Sequence, residues 1–221
     1  CKTHIAFGSS AQDTSKGHGA LTEPELISAT RKNYNWVSGP FEIPDHIKSA
    51  WKEIGKRGMA ERDAWIDRMK SVSRNRQKEF ERVHALEPAN KIKSAVLKLK
   101  KEVSKIAPTV ATRKSSEMAL NVINPIAPET FGGSADLSGS NNTKSADFDV
   151  FDTVNRSGRY MHWGVREHAM AAAMNGMALH GGVRPYGGTF MCFTDYARPS
   201  MRLAALMRIP TVFVMTHDSI G

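Results

Sequence analysis

The chain has 221 residues, enough for one full domain or parts of two, and a 40% hydrophobic content that can build a core. No apolar run is long enough to span a membrane, no basic-then-apolar start marks a secretory signal, and Cys1 and Cys192 are too few and too far apart for a disulfide framework or metal cluster, which fits a reducing cytosol. The net charge of +9 is concentrated in residues 45–114, where 19 Lys and Arg face 9 Asp and Glu, so it reads as a solvated helical connector and not as a globally basic nucleic-acid or membrane binder.

Thr3-His4-Ile5-Ala6-Phe7 reads as a short strand, followed by a polar loop and the Gly-flanked His18 of Gly17-His18-Gly19-Ala20. Thr22 and Glu25 have capping-box spacing and Pro24 suits a first turn, so a helix follows. Pro40 and Pro44 close this region. Asp45 can cap a helix whose apolar face is Ile47, Trp51 and Ile54, interrupted by Gly55 and Gly58. Ile92, Val96, Leu99, Val103 and Ile106 form one narrow apolar stripe among lysines, the mark of a surface helix.

From Thr109 charge thins and Gly, Ala and Met become frequent. Helices are expected over 115–123, over 167–179 with Gly181-Gly182 ending it, and over about 193–207. Phe131-Gly132-Gly133 reads as a turn out of a strand, and strands are expected over 160–165 and 186–190. Residues 211–215 are a continuous β-branched run of the kind that sits mid-sheet. Strand and helix in alternation imply a parallel α/β sheet, with ligands beyond the carboxyl ends of its strands.

Four constellations carry candidate chemistry. Glu167, in Gly164-Val165-Arg166-Glu167-His168, sits behind a strand at the start of an Ala-rich helix. A carboxyl there can be withdrawn from water and share a proton with a ring nitrogen, or it can simply complement the helix dipole. Gly132-Gly133-Ser134-Ala135-Asp136-Leu137, with Ser140 beyond, allows a tight turn whose Asp136 either orients a ligand or bonds its own backbone. Phe190, Phe193 and Tyr196 fall three apart and can stack on a flat heterocycle or belong to a core. His18 and His217 lie in loops, where a histidine can serve as an acid–base or phosphate-binding group.

Taken in order, Gly-Ser-Ala-Asp-Leu, Gly-Val-Arg-Glu-His, Gly-Thr-Phe-x-x-Phe-x-x-Tyr and Thr-His-Asp-Ser-Ile-Gly closely resemble the transketolase family at the start of its pyrimidine-binding domain. Gly8 to Leu21, with Gly-His-Gly-Ala, resembles the end of that family's diphosphate-binding domain, and Phe41-Glu42-Ile43-Pro44 the segment opening its helical connector. The resemblance covers nearly the whole chain and is weakest across the basic connector. It implies a truncated parallel-sheet thiamine-diphosphate-binding fold preceded by a helical connector. The expected divisions are 1–44 (end of the diphosphate-binding domain), 45–108 (connector) and 109–221 (start of the pyrimidine-binding domain).

The resemblance also implies roles. Transketolases move a two-carbon ketol unit between sugar phosphates on thiamine diphosphate. Glu167 matches the glutamate that holds a proton on the cofactor's aminopyrimidine, and Phe190, Phe193 and Tyr196 match the aromatic pocket around that ring. Arg113 and Ser140 match groups holding the sugar phosphate. His217 matches a histidine meeting the substrate, His18 one near the diphosphate, and Asp136 a residue at the cofactor and subunit interface. The family's metal, Mg2+ or Ca2+, takes its ligands from a Gly-Asp-Gly motif expected upstream of Cys1, so this chain is expected to hold no metal ligand. Each site in the family needs a homodimer, so the chain alone reads as an inactive, cut piece. Two departures from the family pattern are Gly17 where serine is common and Asn142 where leucine is common. Alternatives are a related thiamine diphosphate enzyme (dihydroxyacetone synthase or deoxyxylulose phosphate synthase) and, more remotely, a nucleic-acid binder using Trp51, Trp65 and Phe80 among the basic helices.

Overall fold

The computed structural model describes residues 1–218; Ser219, Ile220 and Gly221, which end the Thr-His-Asp-Ser-Ile-Gly motif, lie outside the described residues. The chain divides into two units, Cys1–Ser71 and Val72–Gly221.

The first unit contains helices α1 (Pro24–Asn33), α2 (Asp45–Lys56) and α3 (Met59–Ser71) and a single 3-10 turn, Ser15–His18. No residue in it is buried, so it has no core of its own. The strand expected over 3–7 is instead a set of turns. Ala6 and Gly8 take left-handed conformations, which no extended strand tolerates. Asp13 bridges back to them, its carboxylate 2.8 Å from His4 Nδ1 and its backbone N–H donating to the Ile5 carbonyl. The helix after Thr22 is present, but Glu23 occupies the cap position and makes no side-chain capping bond. Asp45 likewise lies inside α2, with Pro44 at its cap. Gly55 is tolerated within α2, and the break falls between Lys56 and Met59.

The second unit opens with α4 (Arg74–His84), α5 (Ile92–Ile106) and α6 (Thr112–Ile123). The α5 stripe packs toward α6, and Ala107 ends the helix in the left-handed conformation. A four-stranded parallel sheet follows in the order β2-β1-β3-β4, from β1 (Thr130–Ser134), β2 (Tyr160–His162), β3 (Arg184–Phe190) and β4 (Val212–Thr216). A short α7 (Ser138–Asn141) follows β1, α8 (Glu167–His180) links β2 to β3, and α9 (Thr194–Met207) links β3 to β4.

Gly132 and Gly133 lie inside β1 and do not form a turn. The Tyr186 ring occupies the space a Cβ on Gly132 would need, and the Trp163 indole occupies that of Gly133. Gly187 in β3 serves the same purpose for α8, whose Met170 and Met174 sulfurs press directly on its backbone. Met170, Ala171, Met174 and Ala178 recur at helical spacing and are all buried, which is why this Ala- and Met-rich segment sits against the sheet. On the other side Phe148, Tyr160 and Tyr186 form a second buried cluster. β4 is an edge of the described sheet, paired to β3 alone, and Val212 at its start is exposed. The mid-sheet texture of this run is therefore not matched by a second neighbour among the described residues.

A buried ion pair ties α4 to the foot of the sheet. Arg82 donates both terminal nitrogens to the Glu129 carboxylate at 3.0 Å each, and Glu129 is almost wholly buried at the start of β1. Arg184, which begins β3, adds a second cation 3.6 Å away.

Candidate active site

In a parallel sheet every strand leaves the core at the same end, so the loops after β1 to β4 converge there. Four of the expected residues meet in one cleft of about 640 Å³: Asp136 from the loop after β1, Glu167 at the first turn of α8, and Phe193 and Tyr196 at the start of α9. Ala135, Leu137, Val165 and Ala169 make most of the rest of the wall apolar.

Glu167 is placed there by the short turn after β2. Gly164 adopts a positive φ of 67° and lets the chain reverse directly into α8. The residue is 6% exposed, and among the described residues no side chain hydrogen-bonds to its carboxyl. A carboxyl that opens on a largely apolar cleft without a hydrogen-bond partner among the described residues is placed to bond a ligand. Asp136, by contrast, is exposed and takes a positive φ of 61°.

The aromatic residues form a continuous row. Phe193 stacks on Phe190 with centroids 5.8 Å apart and approaches Tyr196 at 6.1 Å. Tyr196 remains 65% exposed, so its face is available at the cleft. Phe190 does not line the cleft; its other neighbour is His217, edge-on at 5.0 Å. The row therefore connects the cleft to a second cluster. There Arg113 Nη1 lies 2.8 Å from His217 Nε2 and donates to the Ser140 carbonyl at 3.5 Å. Arginine can only donate, so the ring nitrogen facing it accepts. The rest of the guanidinium fork makes no bond among the described residues, and it is well shaped for phosphate oxygens.

His18 belongs to the first unit and is exposed there, in the 3-10 turn. Among the described residues no group of three or more His, Cys, Asp and Glu is placed to hold a metal ion, and no helix is long and apolar enough to cross a membrane.

The sequence reading missed the groups that hold the loop after β1. Ser134 Oγ lies 2.9 Å from Asn141 Oδ1, and Asn141 also bonds Thr216 at the end of β4. Asn141 and Thr143 are fully buried polar residues in a polar-looking stretch, and that stretch contains no local signal of it. His168 and Val165 on the cleft wall were visible only as part of the Glu167 motif.

Residues 108–221 match the family model for the transketolase pyrimidine binding domain, more than half of the chain. The chain belongs to the transketolase family. Residues 1–90 match the family's thiamine diphosphate binding domain. Over its whole length the chain is 56% identical to the transketolase of Rhodobacter capsulatus, of which it covers 33%, and 38% identical to that of Aquifex aeolicus, of which it covers 31%. Among solved structures it resembles transketolase from Leishmania mexicana (TM-score 0.82, 34% identity, all of this chain and 33% of that one). It also resembles a Pichia stipitis transketolase in complex with sedoheptulose 7-phosphate (TM-score 0.80, 36% identity, all of this chain and 33% of that one). The chain spans about a third of the length of these relatives.

Proposed function

We propose that the whole protein transfers a two-carbon ketol unit from a ketose phosphate to an aldose phosphate with thiamine diphosphate, and that this chain supplies the pyrimidine side of the site. The observation that carries the proposal is Glu167, a largely buried residue whose carboxyl has no side-chain partner among the described residues, in a cleft walled by Phe193 and Tyr196. That donor set fits the cofactor's aminopyrimidine: two aromatic faces for a flat ring and one carboxyl for a ring nitrogen. Bound thiamine diphosphate supplies the carbon that accepts and releases the two-carbon unit.

The chain's own residues do the rest. Glu167 presents its carboxyl to the ring nitrogen, with which it would share a proton when the cofactor is bound. Phe193 and Tyr196 fix the plane of the ring and, with Val165 and Leu137, exclude water. Phe190 braces Phe193 on one side and His217 on the other. Arg113, Ser140 and His217 hold the sugar phosphate at the other end of the aromatic row, a reading supported by the phosphorylated sugar in the Pichia stipitis complex. Asp136 lies at the cofactor and subunit boundary, and His18 acts at the diphosphate. Mg2+ or Ca2+ would be bound by residues outside this chain. The domain divisions at 44 and 108, a homodimeric assembly, a cytoplasmic location and a role in the pentose phosphate pathway belong to the same reading.

The test is a coupled assay of the full-length protein with thiamine diphosphate and Mg2+, using xylulose 5-phosphate as donor. Ketol transfer to ribose 5-phosphate is expected. Transfer to formaldehyde alone, or reaction only with pyruvate, would refute the assignment and point to the related thiamine diphosphate enzymes.

A further inference from the structure

His162 ends β2 and lines neither the cleft nor the arginine cluster, yet its ring is held twice. It packs edge-on against Tyr160 with centroids 5.4 Å apart, and its Nδ1 lies 3.2 Å from Ser138 Oγ. Tyr160 donates to the same Ser138 oxygen from 2.9 Å, and its own oxygen lies 2.8 Å from Thr143 Oγ1. Thr143, Tyr160, Ser138 and His162 thus form one row of hydrogen bonds running from the buried core to the surface. Tyr160 donates to the Ser138 oxygen, which still has its own proton and a second lone pair for His162. The Ser138–His162 hydrogen bond forms with either tautomer of the ring, Nδ1 accepting from the hydroxyl or donating to its oxygen.

Ser138 is the first residue of α7, and Ser140 is the third. A helix of four residues cannot hold its own shape. It lies between Asp136 and Asn142, both left-handed, so its position depends on what grips each end. Asn141 grips the far end through Ser134 and Thr216. The near end is gripped by the row that His162 terminates.

We infer that His162 is a positioning residue for the loop that receives the substrate phosphate. Through its hydrogen bond to Ser138 it fixes the start of α7, and with it the Ser140 carbonyl that Arg113 meets. The inference rests on the reading of Arg113, Ser140 and His217 as the sugar-phosphate group.

Three variants of the full-length protein separate this role from simple packing. His162→Phe keeps a ring against Tyr160 and removes Nδ1. His162→Asn restores a hydrogen-bonding group near the Nδ1 position without the ring. Ser138→Ala removes its partner hydroxyl. Steady-state kinetics are measured with ribose 5-phosphate and with unphosphorylated glycolaldehyde as acceptors. His162→Phe and Ser138→Ala are each expected to raise KM for ribose 5-phosphate about two- to tenfold, the effect of one hydrogen bond, and the double variant no further. Values of kcat, and KM for glycolaldehyde, are expected to stay at the parent level, and His162→Asn to return KM toward it. Equal changes with both acceptors, no change at all, or failure of His162→Asn to restore KM would overturn the inference. A parent protein with no ketol transfer would overturn the functional reading, and this inference with it, before any variant is compared.

Discussion

Among the described residues Arg113 commits a single nitrogen, Nη1 on His217 and the Ser140 carbonyl, and under the proposed function the rest of its fork is for a ligand. Replacing it with methionine removes charge-assisted bonds to an anion, and KM for a phosphorylated acceptor is expected to rise about ten- to a hundredfold with kcat much less affected. Arg113→Lys is expected to fall between the two, because a point charge cannot reproduce a planar fork. Steady-state kinetics on the full-length protein check both. At this scale the sequence is informative where a residue's place follows from its own segment. Glu167, Phe193 and Tyr196 lie just beyond strand ends, and an alternating pattern of strands and helices locates such ends. His162, Ser138 and Asn141 are different. Their roles arise from the pairing of Ser134 with His162 and Gly188 on its two neighbours, and no local pattern encodes that register.

The elements are held at the foot of the sheet by Arg82, Glu129 and Arg184. Burial by itself pushes the Glu129 carboxyl up, but hydrogen bonds from Arg82 and its own backbone, with the charges of Arg82 and Arg184, together hold it below the ordinary value of 4.5. A carboxyl whose pKa is lower in the folded state stabilises the fold fully above its unfolded value. That stability is lost as the pH falls through the folded one. The second unit should therefore lose stability on acidification below about pH 4.5, and Glu129→Gln should flatten that acid limb. Arg82→Met, which leaves a buried carboxylate with only Arg184 nearby, should cost about 3 kcal/mol near neutral pH. Urea melts between pH 3 and 7 measure both effects. The sequence anticipates α5 by its apolar stripe and α8 by its Ala- and Met-rich composition closed by Gly181-Gly182. It misreads Gly132 and Gly133 because a glycine pair signals a turn unless a distant ring, here Tyr186 or Trp163, lies over it. It misreads residues 3–7 because left-handed Ala6 has no sequence signature.

At the level of the molecule, the two units differ in kind. Residues 72–218 contain the sheet and both buried clusters, whereas no residue of 1–71 is buried. Val37 and Phe41 in the first unit and Val165 and Tyr196 at the cleft expose large apolar surfaces. Relatives about three times as long carry two thirds of their length outside the matched region. The 221-residue chain on its own is therefore expected to show no ketol transfer in an assay where the full-length protein is active. Turnover by the isolated chain would mean that it holds a complete site. The family was legible in the order and spacing of four motifs, because loops from successive strand ends must recur at intervals set by the intervening helices.

Glu167→Gln in the full-length protein is the most direct test of the arrangement. It preserves the size of the side chain in the cleft and replaces the carboxyl, whose proton sharing the proposed chemistry needs, with a non-titrating amide. The prediction is that thiamine diphosphate still binds, while kcat for transfer from xylulose 5-phosphate to ribose 5-phosphate falls at least about a hundredfold. A variant that binds the cofactor and turns over at the parent rate would contradict the assignment of Glu167 as the catalytic carboxyl.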